Sequence, residues 1–193
     1  MLGWLTERSR RRRNGQQLYE RIVAQARSPS LYESCRVPDT MDGRLEMLLL
    51  HTVLTLERLR PEGAEGQRLG QRLMERLIAD VDDALRQIGL GDDSVAIRMK
   101  RLAGALAERS RDYGLRPGEG DTSALALALA RHVYGAADGP QLDALAPDTH
   151  RLADYVARAR MALARLDRRD VLAGHIDFPP VEEPAIDTPE ASP

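Results

Sequence analysis

The spacing of apolar residues is the feature that most constrains what this chain can fold into. Apolar residues recur three and four positions apart in nearly every long segment, which is the period of an α-helix. No segment has the clear alternation of apolar and polar residues that is typical of a β-strand. Aromatic residues make up only 4% of the chain, and Leu and Ala dominate the apolar residues, a composition that favours helices. We therefore predict an all-α protein with at least five helices.

The apolar stripes end at proline, glycine and short polar residues, which are common helix boundaries. The predicted helices run from after Gly15 to about Ser28, from Thr40 to about Arg60, over residues 67–88, from Asp92–Ser94 to Tyr113, over residues 122–134, and from Thr149 to Leu166. Thr40 or Asp42 is a suitable N-cap for the second helix, which is apolar on two sides and therefore predicted to be central in the bundle. We expect residues 63–66 to form a loop and Pro147 to separate a helical turn from the last helix.

The length of 193 residues suits one hydrophobic core and is too short for two full domains. We predict a single-domain helical bundle. Residues 1–13 form a basic N-terminal arm, residues 14–113 a helical core, residues 114–178 a helical extension and residues 179–193 a tail. The tail is acidic and rich in proline, so it buries too little apolar surface to offset the entropy of ordering, and we predict that it is disordered.

The sequence lacks the residue patterns that most enzymes need. It contains no glycine-rich nucleotide-binding motif and no nucleophile elbow, and its four histidines are never three or four residues apart. Cys35 is the only cysteine, so a buried thiol is a more typical role for it than a nucleophile. The net charge of −2 gives no overall attraction to nucleic acid or membrane. We predict a protein that is not an enzyme and that needs no metal or cofactor.

Two polar features interrupt the apolar stripes. Asp80 lies at the edge of an apolar arc, where the first interpretation is a structural ion pair with an arginine from another helix or a cap on a neighbouring backbone. A binding surface or a metal site with Asp83 is the alternative. Arg44, His51 and Arg58 are seven residues apart and form a stripe with Thr55 between two apolar faces. That stripe is either the solvated side of a central helix or a polar groove for a partner.

The N-terminal arm combines an aromatic residue with a run of arginines. The candidate residues for contact with membrane or RNA are Trp4, Arg8, Arg10, Arg11, Arg12 and Arg13. One interpretation is a disordered, solubilising arm. The other is weak attraction to anionic lipid or ribosomal RNA, because basic clusters beside Trp suit a membrane interface.

Two separated segments resemble one known family. Residues 31–48 read LYESCRVPDTMDGRLEML and precede His51, and residues 77–100 read LIADVDDALRQIGLGDDSVAIRMK. The Tyr-x-x-x-x-Val-Pro-Asp-Thr-x-Asp-Gly-Arg motif and the acidic helix followed by Met-Lys resemble the ubiquinol–cytochrome c chaperone family. The resemblance covers about residues 18–113, and we identify none for residues 114–193. The chain departs from the family at residues 105–109, which read ALAER where the family usually has an aromatic residue and Tyr-Gly-Arg.

The resemblance implies an all-α, non-catalytic assembly factor of ubiquinol–cytochrome c reductase, which receives newly made cytochrome b. It also implies a second small assembly protein and the ribosome as partners. The positions that match the family pattern are Tyr32, Pro38, Asp39, Thr40, Asp42, Gly43, Arg44, His51, Asp80, Asp82, Leu85, Arg86, Gly89, Gly91, Asp92 and Lys100. The candidate partner-binding residues are Arg44, His51, Arg58, Asp80, Asp82, Arg86 and Lys100.

Two functions follow from these patterns. The first is an assembly chaperone for cytochrome b, and the alternative is an RNA- or ribosome-binding helical module that acts through the arginine arm. No apolar run approaches the ~20 residues that span a bilayer. We expect a cytoplasmic location, with peripheral attachment to the inner face of the cytoplasmic membrane as an open alternative. Lys100 is the only lysine among 28 basic residues, which is typical of a GC-rich bacterial genome.

Overall fold

The computed structural model describes residues 3–87, 95–113, 122–136 and 140–181. Within these ranges the chain forms eight α-helices and no strand. The helices are α1 (Gly3–Ala26), α2 (Pro29–Glu33), α3 (Met41–Leu59), α4 (Gly63–Gln87), α5 (Val95–Asp112), α6 (Ser123–Tyr134), α7 (Pro140–Arg165) and α8 (Arg168–Ala173), and a 3₁₀ turn at Arg60–Glu62 joins α3 to α4. The prediction of an all-α protein is confirmed.

Helix α3 lies at the centre of the bundle, as its two apolar faces predict. Leu49 and Val53 are buried on one face, and Leu50 and Leu54 are buried on the other. Helices α1, α4, α5, α6 and α7 all pack around it. A helix surrounded on every side must be apolar on more than one face, which is the pattern that its sequence carries.

The start and end of α3 follow from local chemistry. Thr40 is the N-cap, and its hydroxyl accepts a hydrogen bond of 3.1 Å from the backbone N–H of Gly43. This bond satisfies one of the amide groups that a helix leaves without a partner in its first turn. At the other end the chain passes through the 3₁₀ turn that contains Pro61, which cannot donate a backbone hydrogen bond to an α-helix.

A single hydrophobic core joins the N-terminal and C-terminal halves. Leu18 of α1, Leu129 of α6 and Val156 of α7 belong to the same cluster of buried residues. The segment after α8 closes this cluster with the buried residues Ile176 and Val181. The prediction of a single-domain bundle is therefore confirmed. No helix in the described ranges is long and apolar enough to cross a bilayer.

Several predicted helix boundaries are wrong. Helix α1 begins at Gly3, although we expected it after Gly15; arginine is a good helix former, so the basic segment extends the helix. Residues 63–66 form the first turn of α4, where Gly66 allows close approach to the carbonyl of Leu59. Helix α7 continues through Pro147, because packing of the surrounding turns outweighs the loss of one backbone hydrogen bond.

Several predictions lie outside the described residues. These are the disordered state of the tail beyond residue 181 and the predicted start of a helix at residues 92–94. Residues 179–181 of the predicted tail are described, and Val181 is buried in the core, so this part of the prediction is wrong. The backbone of residues 3–12 is described as helix, but the side chains of this segment, including Trp4, are outside the described part. The first arginine of the arm with a described side chain is Arg13, which is exposed.

Candidate partner-binding surface

The first family-like motif forms the tight connection between α2 and α3. The hydroxyl of Tyr32 donates a hydrogen bond of 2.6 Å to the carbonyl of Ala26, which ties α2 back to the end of α1. Val37 is buried, and its backbone N–H donates to the carbonyl of Leu31 at 3.2 Å. These contacts fix the connection on both sides of its turn.

Gly43 is required by the close approach of the connection to α3. A Cβ atom at this position would clash with the carbonyl oxygen of Pro38. The backbone N–H of the same glycine donates to the hydroxyl of Thr40. Gly43 therefore takes part both in the N-cap of α3 and in the close contact with Pro38. The buried part of the motif therefore acts structurally, by holding the start of α3 in place.

The outward side of this connection presents three exposed side chains, Asp39, Met41 and Arg44, which we call the α2–α3 corner. Arg44 Nε lies 2.6 Å from Asp39 Oδ1, and the side chain of Arg44 is 61% exposed. The hydrogen bond from Arg44 lowers the pKa of the Asp39 carboxyl. Met41 is 58% exposed, the highest value among the described large hydrophobic residues that are exposed. The corner thus combines an ion pair with an uncovered, adaptable apolar side chain.

His51 lies inside the protein, and the prediction of a polar groove through this residue is wrong. Its Nδ1 lies 2.7 Å from the carbonyl of Met47, and its Nε2 lies 2.7 Å from the hydroxyl of Tyr155. Phe178 packs edge-on against the imidazole ring. Burial lowers the pKa of His51 to about 4, so the ring is neutral at physiological pH. His51 is a structural histidine that joins α3 to α7.

Arg58 also serves the interior. Its guanidinium donates to the carbonyls of Leu163 and Leu166, both at 2.9 Å, and forms an ion pair with Glu62. These carbonyls lie at the end of α7, where backbone acceptors lack helical partners and a positive charge is favourable. Thr55 of the predicted stripe is fully buried. Only Arg44 of that stripe remains exposed on the surface.

Asp80 pairs with an arginine, as predicted, but the arginine comes from its own helix. Arg76 Nη2 lies 3.4 Å from Asp80 Oδ1, and the contact across helices is made by Tyr19, whose hydroxyl donates to Asp80 Oδ2 at 2.6 Å. The guanidinium of Arg76 lies over the Tyr19 ring, 5.4 Å from its centroid. The Asp80 side chain is 40% exposed, so its ion pair with Arg76 stabilises α4 less than a buried pair would.

The remaining candidates lie on α4 and α5. Arg86 Nε lies 2.8 Å from Asp82 Oδ2, and the arginine is exposed while the carboxylate is nearly covered. Lys100 is exposed in the second turn of α5. Leu85 and residues 89–92 of the family pattern have no described side chains. The structure thus leaves Arg44, Arg86 and Lys100 as the candidates that are open to a partner.

Sequence reasoning missed two contacts between helices. Arg109 makes a two-pronged ion pair with Glu46, at 2.6 and 3.1 Å, across the α3–α5 contact. It occupies the segment where the chain departs from the family pattern. Arg160 likewise binds Glu57 at 3.0 Å and the carbonyl of Tyr113. No spacing rule joins residues so far apart in sequence, so neither pair carries a local signal.

Within the described residues, one group of side chains could hold a cation. Glu108, Asp112 and His132 place their ligand atoms within 4.8 Å of one another. His132 Nε2 lies 2.7 Å from Asp112 Oδ2, and Glu108 is paired with Arg109 at 2.9 Å. Because both carboxylates already have partners, we describe this group as an acid–imidazole contact between α5 and α6. Cys35 is buried as expected, and burial raises the pKa of its thiol to about 11.

This chain matches one known protein family and is similar to a solved structure. The family model described as ubiquinol-cytochrome C chaperone matches residues 33–178 of this chain. The chain is also similar to the crystal structure of the Cbp3 homolog from Brucella abortus, with 34% identity and a TM-score of 0.80, covering 94% of this chain and 98% of that one. No curated protein gives a significant match. The family match extends through α6 and α7, beyond the segment in which we identified the resemblance.

Proposed function

This chain belongs to the ubiquinol–cytochrome c chaperone family, and we propose from this that it binds newly made cytochrome b during the assembly of ubiquinol–cytochrome c reductase. We further propose that binding uses the α2–α3 corner, and that Arg86 and Lys100 extend this surface. Binding at the inner face of the cytoplasmic membrane, with a second small assembly protein and the ribosome nearby, belongs to the same proposal.

The first family-like motif has a buried part that fixes the backbone and an exposed part that is open to a partner, and this difference supports the proposal. Val37 and Gly43 are buried and fix the connection, whereas Asp39, Met41 and Arg44 are exposed. A rigid backbone that presents an apolar side chain beside a charged pair suits temporary cover of a client segment, because little entropy is lost when the surface is already ordered. Methionine adapts to apolar surfaces of different shape.

Arg44→Glu tests this surface. The substitution reverses the charge beside Asp39 and places two carboxylates together at an exposed site, so it should disturb partner contact with little effect on folding. In a strain that carries only the variant, we expect cytochrome b absorbance of the membranes to fall by at least about half, while the melting temperature of the purified variant stays within a few degrees of the parent.

Arg165→Glu is the matched control. Arg165 is an exposed arginine in the last turn of α7, outside the proposed surface. This variant carries the same change of charge and should retain normal cytochrome b. Equal loss in both strains would assign the effect to net charge, and normal cytochrome b in the Arg44→Glu strain would contradict a role for the α2–α3 corner.

A further inference from the structure

A cleft of about 580 Å³ lies where α1, α4 and α8 meet, and no predicted site includes it. At this cleft the side-chain amide of Asn14 in α1 donates a hydrogen bond of 2.8 Å to the carbonyl of Leu172 in α8. Arg168 of α8 forms ion pairs with Glu62 at 2.9 Å and with Glu65 of α4 at 2.6 Å, which hold α8 against the start of α4. The cleft is therefore a built feature of three helices rather than a gap between loops.

The lining of this cleft is positive, although the whole chain has a net negative charge. Four arginines line it against two carboxylates, Glu65 and Asp167. Arg72 pairs with Glu75 and Arg168 with its two glutamates. Within the described residues, the side chains of Arg68 and Arg169 make no hydrogen bond or ion pair. These two exposed guanidiniums are thus available to an anion.

The position and the lining of the cleft favour one class of anion. Helix α1 leads from Asn14 directly back into the arginine run at residues 8–13, so the cleft lies at the base of a basic segment. Guanidinium groups bind phosphate oxygens through paired hydrogen bonds. Among the residues whose side chains the structure describes, no aromatic residue lines the cleft, and stacking on aromatic rings is the usual way in which proteins hold single-stranded RNA. Leu69 and Leu172 instead supply apolar surface beside the arginines.

We propose that this cleft binds the phosphate headgroup of an anionic phospholipid, with Arg68 and Arg169 as the groups that contact the phosphate. A bound headgroup would place α1 and α4 against the membrane and leave the α2–α3 corner to a separate partner. This proposal does not depend on the identity of the client, because it concerns a different group of residues.

The test is sedimentation of the full chain with vesicles of phosphatidylcholine and phosphatidylglycerol in equal parts. We compare the parent with Arg68→Gln/Arg169→Gln, which removes two unpaired charges and breaks no described ion pair. A basic residue near an anionic surface contributes about a five-fold change in binding, so we expect the double variant to bind at least about ten-fold more weakly. Arg131→Gln/Arg165→Gln removes two exposed arginines outside the cleft and should reduce binding less than two-fold.

The outcomes separate the possible ligands. Weaker vesicle binding in the cleft variant alone supports the proposal, and equal loss in both variants overturns it in favour of a net-charge effect. Titration with inorganic phosphate at matched ionic strength is the second arm. If the parent binds phosphate but the parent and the Arg68→Gln/Arg169→Gln variant bind vesicles equally, the cleft holds a small anion and the lipid proposal is wrong. Loss of oligouridylate binding without loss of vesicle binding would overturn it in favour of RNA.

Discussion

His51 is polar, fully buried and central, and its hydrogen bonds explain how that combination is stable. Met47 offers a carbonyl to Nδ1, so this nitrogen carries the proton and Nε2 accepts from the hydroxyl of Tyr155. Gln25 in turn donates to the Tyr155 hydroxyl at 2.9 Å. The neutral ring therefore satisfies both nitrogens without a charge, which is the arrangement that burial requires.

Protonation of His51 should destabilise the protein. The pKa is about 4 in the folded state and near the ordinary value of 6.5 in the unfolded chain. As the pH falls from 6.5 to 4, only the unfolded state gains a proton, so the free energy of unfolding decreases by about 1.4 kcal/mol per pH unit from this group. Urea unfolding between pH 7.5 and 4 should show a steep decline in the parent and a shallower one in His51→Gln. The exposed His175→Gln variant should follow the parent, and equal slopes in all three would contradict this assignment.

Replacement of glycine by alanine should have opposite effects on stability at Gly43 and at Gly104. Gly43→Ala places a Cβ against the carbonyl of Pro38 and should lower the free energy of unfolding by about 2 kcal/mol or more. Gly104 lies inside α5, and outside the backbone of its own helix no described atom lies within 4 Å of the place of a Cβ, so Gly104→Ala should raise stability by up to about 1 kcal/mol. Thermal unfolding of the two variants checks this. A neutral Gly43→Ala would mean that the connection can shift away from α3.

At the level of helices, periodicity predicted the existence of elements better than their ends. The two apolar faces of α3 located the central helix because burial on all sides leaves a direct trace in sequence. The polar stripe of α3 was misleading, because a partner from α7 can satisfy His51 as well as solvent can. Proline and glycine also failed as boundaries at Pro147 and Gly66, where packing outweighed the local preference. Contacts such as Arg109 with Glu46 depend on the tertiary fold and are invisible to local patterns.

The arginine segment of α1 should be dispensable for folding. Its residues precede Leu18, the first buried residue of the described core, so deletion of residues 1–13 should leave the melting temperature within a few degrees of the parent. The same deletion should reduce binding to anionic vesicles, and this loss should shrink as salt is added. Circular dichroism and vesicle sedimentation measure the two effects. Unchanged vesicle binding would remove the membrane role from this segment.

At the scale of the whole molecule, the C-terminal half completes the core rather than adding to it. Removal of residues 114–193 would take away Tyr155, the carbonyls that bind Arg58, and many apolar residues packed against α3. A fragment of residues 1–113 should therefore lack a cooperative thermal transition, even though it contains both family-like motifs. A fragment that melts sharply near the temperature of the full chain would establish residues 14–113 as an independent domain.

The proposed function predicts a defect in biogenesis rather than in electron transfer. Cys35 is the only cysteine of the chain, and an iron–sulfur cluster is usually held by four cysteines. A strain without this protein should contain less assembled ubiquinol–cytochrome c reductase, and cytochrome b should decrease first because it is the proposed client. Pulse labelling should show that cytochrome b is made at a normal rate and then degraded. The reductase that remains should turn over normally per molecule, since an assembly factor is not a stoichiometric part of the mature complex.

Absorbance spectra of membranes, with another respiratory complex as control, measure the amount of cytochrome b directly. Normal cytochrome b under growth conditions that require the complex would contradict the proposed client, whereas low turnover with normal cytochrome b would point to a role in the finished enzyme.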